Sequence, residues 1–146
     1  MKKIFITVGS YKEFPRLTDK FFSGSKFIGT TVIIQTPINV FDKEKYYRIL
    51  KNSDVVISHA GMGNISDLYK FKKKCIIVPR LFFNNEAVDD HQLEICQVLE
   101  KYNNNICYSV DNLKIDKAKV LNLPITFFDS SKFIKNITEY IRGDKK

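Results

Sequence analysis

Residues 54–64 read DVVISHAGMGN and contain the transition that decides the fold. Asp54–Ser58 is a short run rich in β-branched residues, which predicts a buried strand. Gly61 and Gly63 then interrupt the pattern, and the segment from Gly63 to about Lys72 has the spacing of a helix. A strand that turns directly into a helix is the repeating unit of α/β proteins with parallel sheets.

The alternation of strand and helix continues on both sides of this junction. Further strands are predicted at Ile4–Val8, Thr31–Gln35 and Cys75–Val78, with a short fifth at Ile106–Val110. Helices are predicted at Phe14–Phe22, from the capping residue Asp42 through Leu50, and at Asp89–Lys101 (inward positions Leu93, Cys96, Val98 and Leu99). A last amphipathic helix is predicted from its cap, Asp129 or Ser130, through Ile141. Continuous Val and Ile runs are typical of strands covered on both faces. We therefore expect one Rossmann-like, doubly wound parallel sheet in a single domain over residues 1–142, followed by a frayed tail at 143–146.

Composition limits the classes of partner. The 146 residues carry a formal net charge of +8, but the lysines are scattered and no basic run is interleaved with aromatics, so no nucleic-acid partner is expected. Three widely spaced cysteines fit buried apolar positions in a reducing compartment. The N-terminus lacks the apolar region of a signal peptide, and no run is long enough to span a membrane. We expect a cytoplasmic protein that reaches a membrane only through a partner.

Several familiar chemistries have no support in the sequence. No GxSxG elbow indicates a hydrolase, and no GxxxxGK[ST] loop indicates a P-loop nucleotidase. His59 and His91 lack HExxH spacing or a third spaced ligand, so no metal site is expected.

Ligands of open parallel sheets bind beyond the carboxyl ends of the strands. The turn at residues 58–64 lies at such an end and combines glycines, which let backbone N–H groups approach a ligand, with the start of a helix. That combination forms an anion site, to which His59 adds a donor. A tight turn with a packed histidine fits the turn equally well.

Two acidic segments follow the turn. Asp67, one helical turn past Gly63, could accept hydrogen bonds from ribose hydroxyls or could be a solvated acid of the first turn. Residues 89–92, Asp-Asp-His-Gln, suit multidentate recognition of hydroxyls, although Asp89 also fits a helix N-cap.

Four segments in this order, ITVGS at 6–10, SHAGMGN at 58–64, VPRL at 78–81 and DDHQ at 89–92, resemble the glycosyltransferase family 28 C-terminal domain. The resemblance covers most of the chain. It is strongest to short stand-alone members, the soluble subunits of two-subunit UDP-sugar transferases in dolichol-linked glycan assembly and in bacterial capsule and exopolysaccharide synthesis. It implies the C-terminal, donor-binding half of a GT-B enzyme.

The resemblance also implies function and partners. The chain would be the donor-binding subunit of an inverting enzyme that moves a hexose from a UDP-sugar to a lipid-linked saccharide. A membrane-anchored, acceptor-binding subunit would hold the chain at the inner face of the membrane, with the last helix as a docking surface or as ordinary packing. The alternative is a non-catalytic enhancer that stabilises such a subunit.

Site residues follow from the resemblance position by position. His59 would be catalytic, stabilising the leaving UDP. The donor-binding residues would be Gly9, Ser10, His59, Gly61, Met62, Gly63, Asn64, Asp67, Arg80, Asp90, His91 and Gln92. Gly9 and Ser10 fall in the first phosphate-side turn, and Asp90, His91 and Gln92 in the sugar-contacting segment. Three features depart from the family pattern. Asn64 replaces Ser or Thr, Asp67 replaces a ribose-binding Glu, and the stretch from Phe21 to Asn39 is short and matches poorly.

Overall fold

The computed structural model of the protein describes residues 2–22 and 29–123, together with Glu139. The strands are β1 (Lys2–Thr7), β2 (Thr30–Gln35), β3 (Val55–His59), β4 (Lys74–Val78) and β5 (Lys119–Val120). The helices are α1 (Pro15–Phe22), α2 (Lys43–Asn52), α3 (Met62–Lys70) and α4 (His91–Glu100). Apart from Glu139, the predicted last helix and the predicted tail lie outside the described residues.

The five described strands form one sheet in the order β2-β1-β3-β4-β5. The first four are parallel, as predicted, and each is joined to the next in sequence by one helix. From β1 the chain moves outward to β2 and then returns past β1 to β3, so the winding direction reverses between β1 and β3. Thr7 of β1 pairs with Ser58 of β3, which places the residues after both strands side by side at this switch point.

The sheet is covered on both faces. On one face α1 packs against apolar side chains of β1, β3 and β4, and the buried set includes Ile4, Ile6, Phe14, Leu17, Phe21, Ile57 and Val78. On the other face lie α2, α3 and α4, with Phe5, Leu50, Val56, Ile65, Leu68, Ile77, Ile95 and Leu99. Burial on both sides explains why the strands are continuous apolar runs, and it confirms the doubly wound Rossmann-like fold.

The predicted fifth strand at Ile106–Val110 is wrong. Only Ile106 joins the sheet, through an isolated parallel bridge to Ile77, and Val110 begins a short 3₁₀ helix, Val110–Asn112. After this bridge the chain turns, and Ser109 O accepts from the backbone N–H of Asn112 at 2.9 Å. The fifth strand is instead β5, which pairs antiparallel with the start of β4.

The helix after β4 begins later than predicted. Asp89 is not the N-cap; its Oδ1 accepts from the backbone N–H of His91 at 3.0 Å, and Asp90 is the residue that precedes α4. Cys96, Val98 and Leu99 face inward as predicted, whereas Leu93 is only half-buried. At the start of α2 the prediction is confirmed, because Asp42 Oδ1 accepts from Lys45 N–H at 2.8 Å.

The cysteines Cys75, Cys96 and Cys107 are all free thiols in buried positions, as predicted. Burial raises the pKa of each thiol above its ordinary value, so these groups act as small apolar side chains. Within residues 2–22 and 29–123, no helix combines the length and the apolar character needed to cross a bilayer.

Candidate functional site

The candidate site lies where β1 and β3 end, at the switch point of the sheet. His59 is the last residue of β3, and its ring fills the space between the turn after β1 and the turn before α3. A Cβ atom placed on Gly9 would lie 2.7 Å from His59 Nε2, and one on Gly61 would lie 2.3 Å from His59 Cε1. Both positions therefore need glycine, and at Gly9 a φ of +76° favours glycine as well.

Gln92 of α4 holds the other edge of this ring. Its Nε2 lies 3.2 Å from His59 Nδ1, while its Oε1 accepts from the backbone N–H of Ala60 at 3.2 Å and of Arg80 at 3.0 Å. The residue after β3, the residue two past β4 and the first turn of α4 are thus joined through one side-chain amide. Gln92 lies close to His59, and its carbonyl oxygen is engaged by the protein itself.

His59 is neutral at physiological pH. Burial lowers its pKa to about 4, and the nearby positive charge of Arg80 acts in the same direction. A neutral imidazole carries one N–H donor and one acceptor nitrogen. The side chain can therefore donate one hydrogen bond without bringing a charge into the site.

The start of α3 supplies backbone donors beside the histidine. Gly61 is the N-cap and no side-chain hydrogen bond caps the helix; the first helical bond after the cap runs from Ile65 N–H to Gly61 O at 3.0 Å. The N–H groups of Met62, Gly63 and Asn64 precede that bond and form the positive end of the helix. A Cβ atom added at Gly63 would meet nothing within 4 Å, and Gly63 is exposed, so the first turn of the helix borders open space at this residue.

Asn64 fastens the helix to the two strands at the switch point. Its Nδ2 donates to Thr7 Oγ1 at 3.3 Å and to Ser58 Oγ at 3.1 Å, and Ser58 Oγ donates to His59 O at 2.8 Å. The amide in place of Ser or Thr thus bridges β1 and β3. Both Thr7 and Ser58 lie in segments that the sequence singled out, but neither was predicted as a site residue, because buried hydroxyls at strand ends have no pattern of their own.

Asp67 lies farther along α3, against α2. Its Oδ1 accepts from the hydroxyl of Tyr47 at 3.4 Å. Burial raises the pKa of this carboxyl, and the Tyr47 hydrogen bond opposes the rise. Tyr47 itself packs edge-on against Tyr46, at 5.5 Å between ring centroids, and carried no signal in the sequence.

Arg80 differs from the other residues that the resemblance implied, because its side chain is 1% exposed. The guanidinium donates to the carbonyl oxygens of Val8 (2.5 Å), Lys12, Glu13 (3.1 Å) and Glu86 (3.3 Å). Its centre also lies 4.8 Å from the ring centroid of Phe14. Arg80 therefore binds the loops that surround the site, and its donors do not face an open space.

Glu86 completes this internal network and was missed by sequence reasoning. Its carboxylate accepts from Arg16 Nε at 2.7 Å and from the backbone N–H of Leu81 at 2.9 Å. Arg16 also donates to the carbonyls of Pro79 at 2.8 Å and Tyr108 at 3.0 Å. Arg16 and Glu86 are separated by 70 positions in the chain, and no local pattern indicates such a contact.

The remaining predicted residues lie at the surface. Ser10 and Asp90 are exposed, and His91 is half-exposed with its Nδ1 3.9 Å from Glu94 Oε2. Large apolar side chains on the same two loops are also exposed, namely Tyr11, Phe82, Phe83 and Val88. Among the described residues, no group of three His, Cys, Asp or Glu side chains could hold a metal ion.

A parallel sheet with a glycine turn, a histidine donor and an open helix N-terminus at its switch point has the arrangement with which α/β domains bind anionic nucleotides. The chain belongs to the glycosyltransferase family 28 C-terminal domain family, whose model matches residues 2–120. The resemblance drawn from the sequence is thereby confirmed at the level of family and fold.

Relatives with established names share part of this chain. It is 33% identical over 102 residues to the UDP-N-acetylglucosamine transferase subunit ALG13 of Candida albicans, covering 56% of this chain and 33% of that protein. It is 33% identical over 98 residues to the UDP-N-acetylglucosamine–N-acetylmuramyl-(pentapeptide) pyrophosphoryl-undecaprenol N-acetylglucosamine transferase of Aquifex aeolicus, covering 67% of this chain and 25% of that protein. The chain thus spans between a quarter and a third of the length of these relatives.

A solved structure shares the fold. The NMR solution structure of ALG13 superimposes with a TM-score of 0.62, at 18% identity and covering 97% of both chains. At this identity the likeness concerns the backbone arrangement alone.

Proposed function

We propose that this chain is the donor-binding subunit of a two-subunit, inverting UDP-sugar glycosyltransferase. The observation that carries the proposal is the neutral His59 ring, fixed beside the open N-terminus of α3 at the switch point of the sheet. Membership of family 28 and the transferase names of two relatives support a UDP-sugar as the donor.

The proposed binding mode follows from the positions of the donors. The diphosphate lies at the start of α3, where the N–H groups of residues 62–64 and the ring of His59 meet its charge. Asp67 takes the ribose hydroxyls, and the exposed Asp90 and His91 take hydroxyls of the sugar. The turn at Gly9 and Ser10 closes the phosphate side. The UDP-sugar is a substrate, and no cofactor enters the proposal.

Catalysis in this proposal is electrostatic. As the bond between the sugar and UDP breaks, negative charge grows on the leaving phosphate. The N–H donors are already in place, so they stabilise that charge without rearrangement, and losing one donor of this kind costs about 3 kcal/mol of the barrier. The acceptor hydroxyl attacks from the opposite face of the sugar, and a residue of the partner removes its proton.

The partner in this proposal is a membrane-anchored subunit that binds a lipid-linked acceptor. A relative is named as a transferase subunit, and another as an enzyme acting on an undecaprenol-linked substrate. The chain would then work in the cytoplasm at the inner face of the membrane. Capsule or exopolysaccharide assembly is the pathway we propose.

Calorimetric titration tests the donor site directly. UDP should bind at least tenfold more tightly than uridine, and His59→Ala should remove most of that difference while circular dichroism stays unchanged. His91→Ala changes the other histidine and should keep the difference, because His91 contacts the sugar in this proposal. Equal affinities for UDP and uridine in the unmodified chain would overturn the assignment.

Co-expression with a membrane-anchored Rossmann-type partner tests the activity. The pair should transfer radiolabelled sugar from a UDP-sugar to a lipid-linked saccharide, and His59→Ala in the pair should abolish transfer. Undiminished transfer by the variant pair, together with no UDP binding by either form, would identify the chain as a non-catalytic enhancer instead.

A further inference from the structure

The side-chain amide of Gln92 has a fixed orientation. Its Oε1 lies within 3.2 Å of two backbone nitrogens, those of Ala60 and Arg80, and both are N–H donors. Only an oxygen can accept from them, so the nitrogen of the amide must be the atom that lies 3.2 Å from His59 Nδ1.

This orientation determines where the proton of His59 resides. The amide nitrogen is a donor only, so His59 Nδ1 must accept and cannot carry the ring proton. In the neutral ring the proton is then on Nε2. Nε2 is the atom that approaches Gly9, on the side of the ring opposite Gln92.

We propose that Gln92 is a positioning residue that holds His59 in the Nε2–H form, ready to donate to the diphosphate. This inference rests on the proposed function, and it gives Gln92 a role besides the sugar contact that the family resemblance implied. Both lone-pair directions of the amide oxygen and one of its N–H groups are used within the protein, which leaves a single N–H for any other partner.

The tautomer can be measured without any ligand. In the ¹⁵N-labelled protein, long-range ¹H–¹⁵N spectra should show His59 protonated at Nε2 and bare at Nδ1. In Gln92→Glu a carboxylate oxygen can still accept from Ala60 and Arg80, but the other oxygen now faces Nδ1 and needs a proton there. The His59 signals should therefore change to the Nδ1–H or doubly protonated form. Gln97→Glu, an exposed position on the same helix, should leave them unchanged.

Retention of the Nε2–H form in Gln92→Glu would overturn the inference, as would an Nδ1–H form in the unmodified protein. Because this measurement involves no nucleotide, its outcome stands even where the proposed donor binding fails.

Ligand binding separates positioning from sugar contact. Gln92→Met should weaken binding of UDP itself, which carries no sugar, roughly five- to tenfold. In a His59→Asn background the same substitution should add less than twofold, since its effect passes through the ring. An affinity for UDP that stays unchanged in Gln92→Met, with a loss confined to UDP-N-acetylglucosamine, would sink the positioning role. An unmodified chain that binds no UDP would reject the proposed function itself.

Discussion

Two regions follow neighbouring parallel strands at the same edge of the sheet, yet they are built in opposite ways. The turn between β3 and α3 is short, and its Gly61, together with Gly9 in the turn after β1, lets the ring of His59 fit against backbone. The loop between β4 and α4 runs over residues 79–90, and the buried charged groups of Arg80 and Glu86 fix its course. A surface of backbone donors needs small residues beside it, whereas a long loop needs polar anchors inside it.

Removal of the anchor in the loop should have the largest effect. Arg80→Met leaves four backbone carbonyls without their buried donor, so the free energy of unfolding should fall by about 4 kcal/mol. Urea unfolding monitored by circular dichroism measures this. Arg48→Met, an exposed change on α2, should cost less than about 0.5 kcal/mol. A loss below 1 kcal/mol for Arg80→Met would mean that the loop keeps its course without the guanidinium.

Stability should depend on the size of the side chain at Gly61, and Gly63 provides a matched control two residues away. The added methyl of Gly61→Ala would lie 2.3 Å from His59 Cε1, so the ring must move. We expect the free energy of unfolding to fall by about 3 kcal/mol. The affinity for UDP should fall as well, because the ring leaves its position. Gly63→Ala meets nothing within 4 Å and should keep stability or gain about 0.5 kcal/mol through helix propensity. Thermal unfolding and UDP titration of both variants measure this, and equal effects at the two positions would contradict the packing argument.

Acid should lower the free energy of unfolding, because His59 is buried in its neutral form. Its pKa is lowered to about 4 in the folded chain, against an ordinary value near 6.5 in the unfolded chain. The unfolded state therefore takes up the proton first as pH falls. The stabilisation is fully present above about pH 6.5 and is lost progressively down to pH 4, a loss of about 2 kcal/mol between pH 7 and pH 5.

Urea unfolding at several pH values tests this. His59→Asn should show a shallower decline with acid than the unmodified chain, whereas His91→Asn should retain the part of the decline that His59 causes. Identical slopes for all three proteins would place the His59 ring in water rather than in the interior.

The sequence predicted those features that depend on local pattern. β1 to β4 were found because strands buried on both faces need unbroken apolar runs, and the candidate site was placed at residues 58–64 because glycines mark where backbone comes close. The Arg80 network was missed because its partners come from residues 8–16 and 86, and nothing near Pro79 indicates an arginine that faces inward. The fifth strand was misplaced for a related reason, since one apolar run near Ile106 makes a single bridge, while the two-residue β5 is too short to produce a pattern.

The smallest expected effect is that of Tyr47→Phe, which tests how far the binding region extends along α3. Under the proposed function, the Tyr47 hydroxyl orients Asp67 towards the ribose, so Tyr47→Phe should lower the preference for UDP over 2′-deoxy-UDP by roughly two- to threefold. Tyr108→Phe is the matched control, because Tyr108 also donates to a carboxylate, Glu100 Oε2 at 3.0 Å, and it takes no part in the proposed site. Competition titration with the two nucleotides measures the ratio. If Tyr47→Phe weakens both nucleotides equally, Asp67 has no contact with the 2′-hydroxyl, and the donor-binding region ends at the first turn of α3.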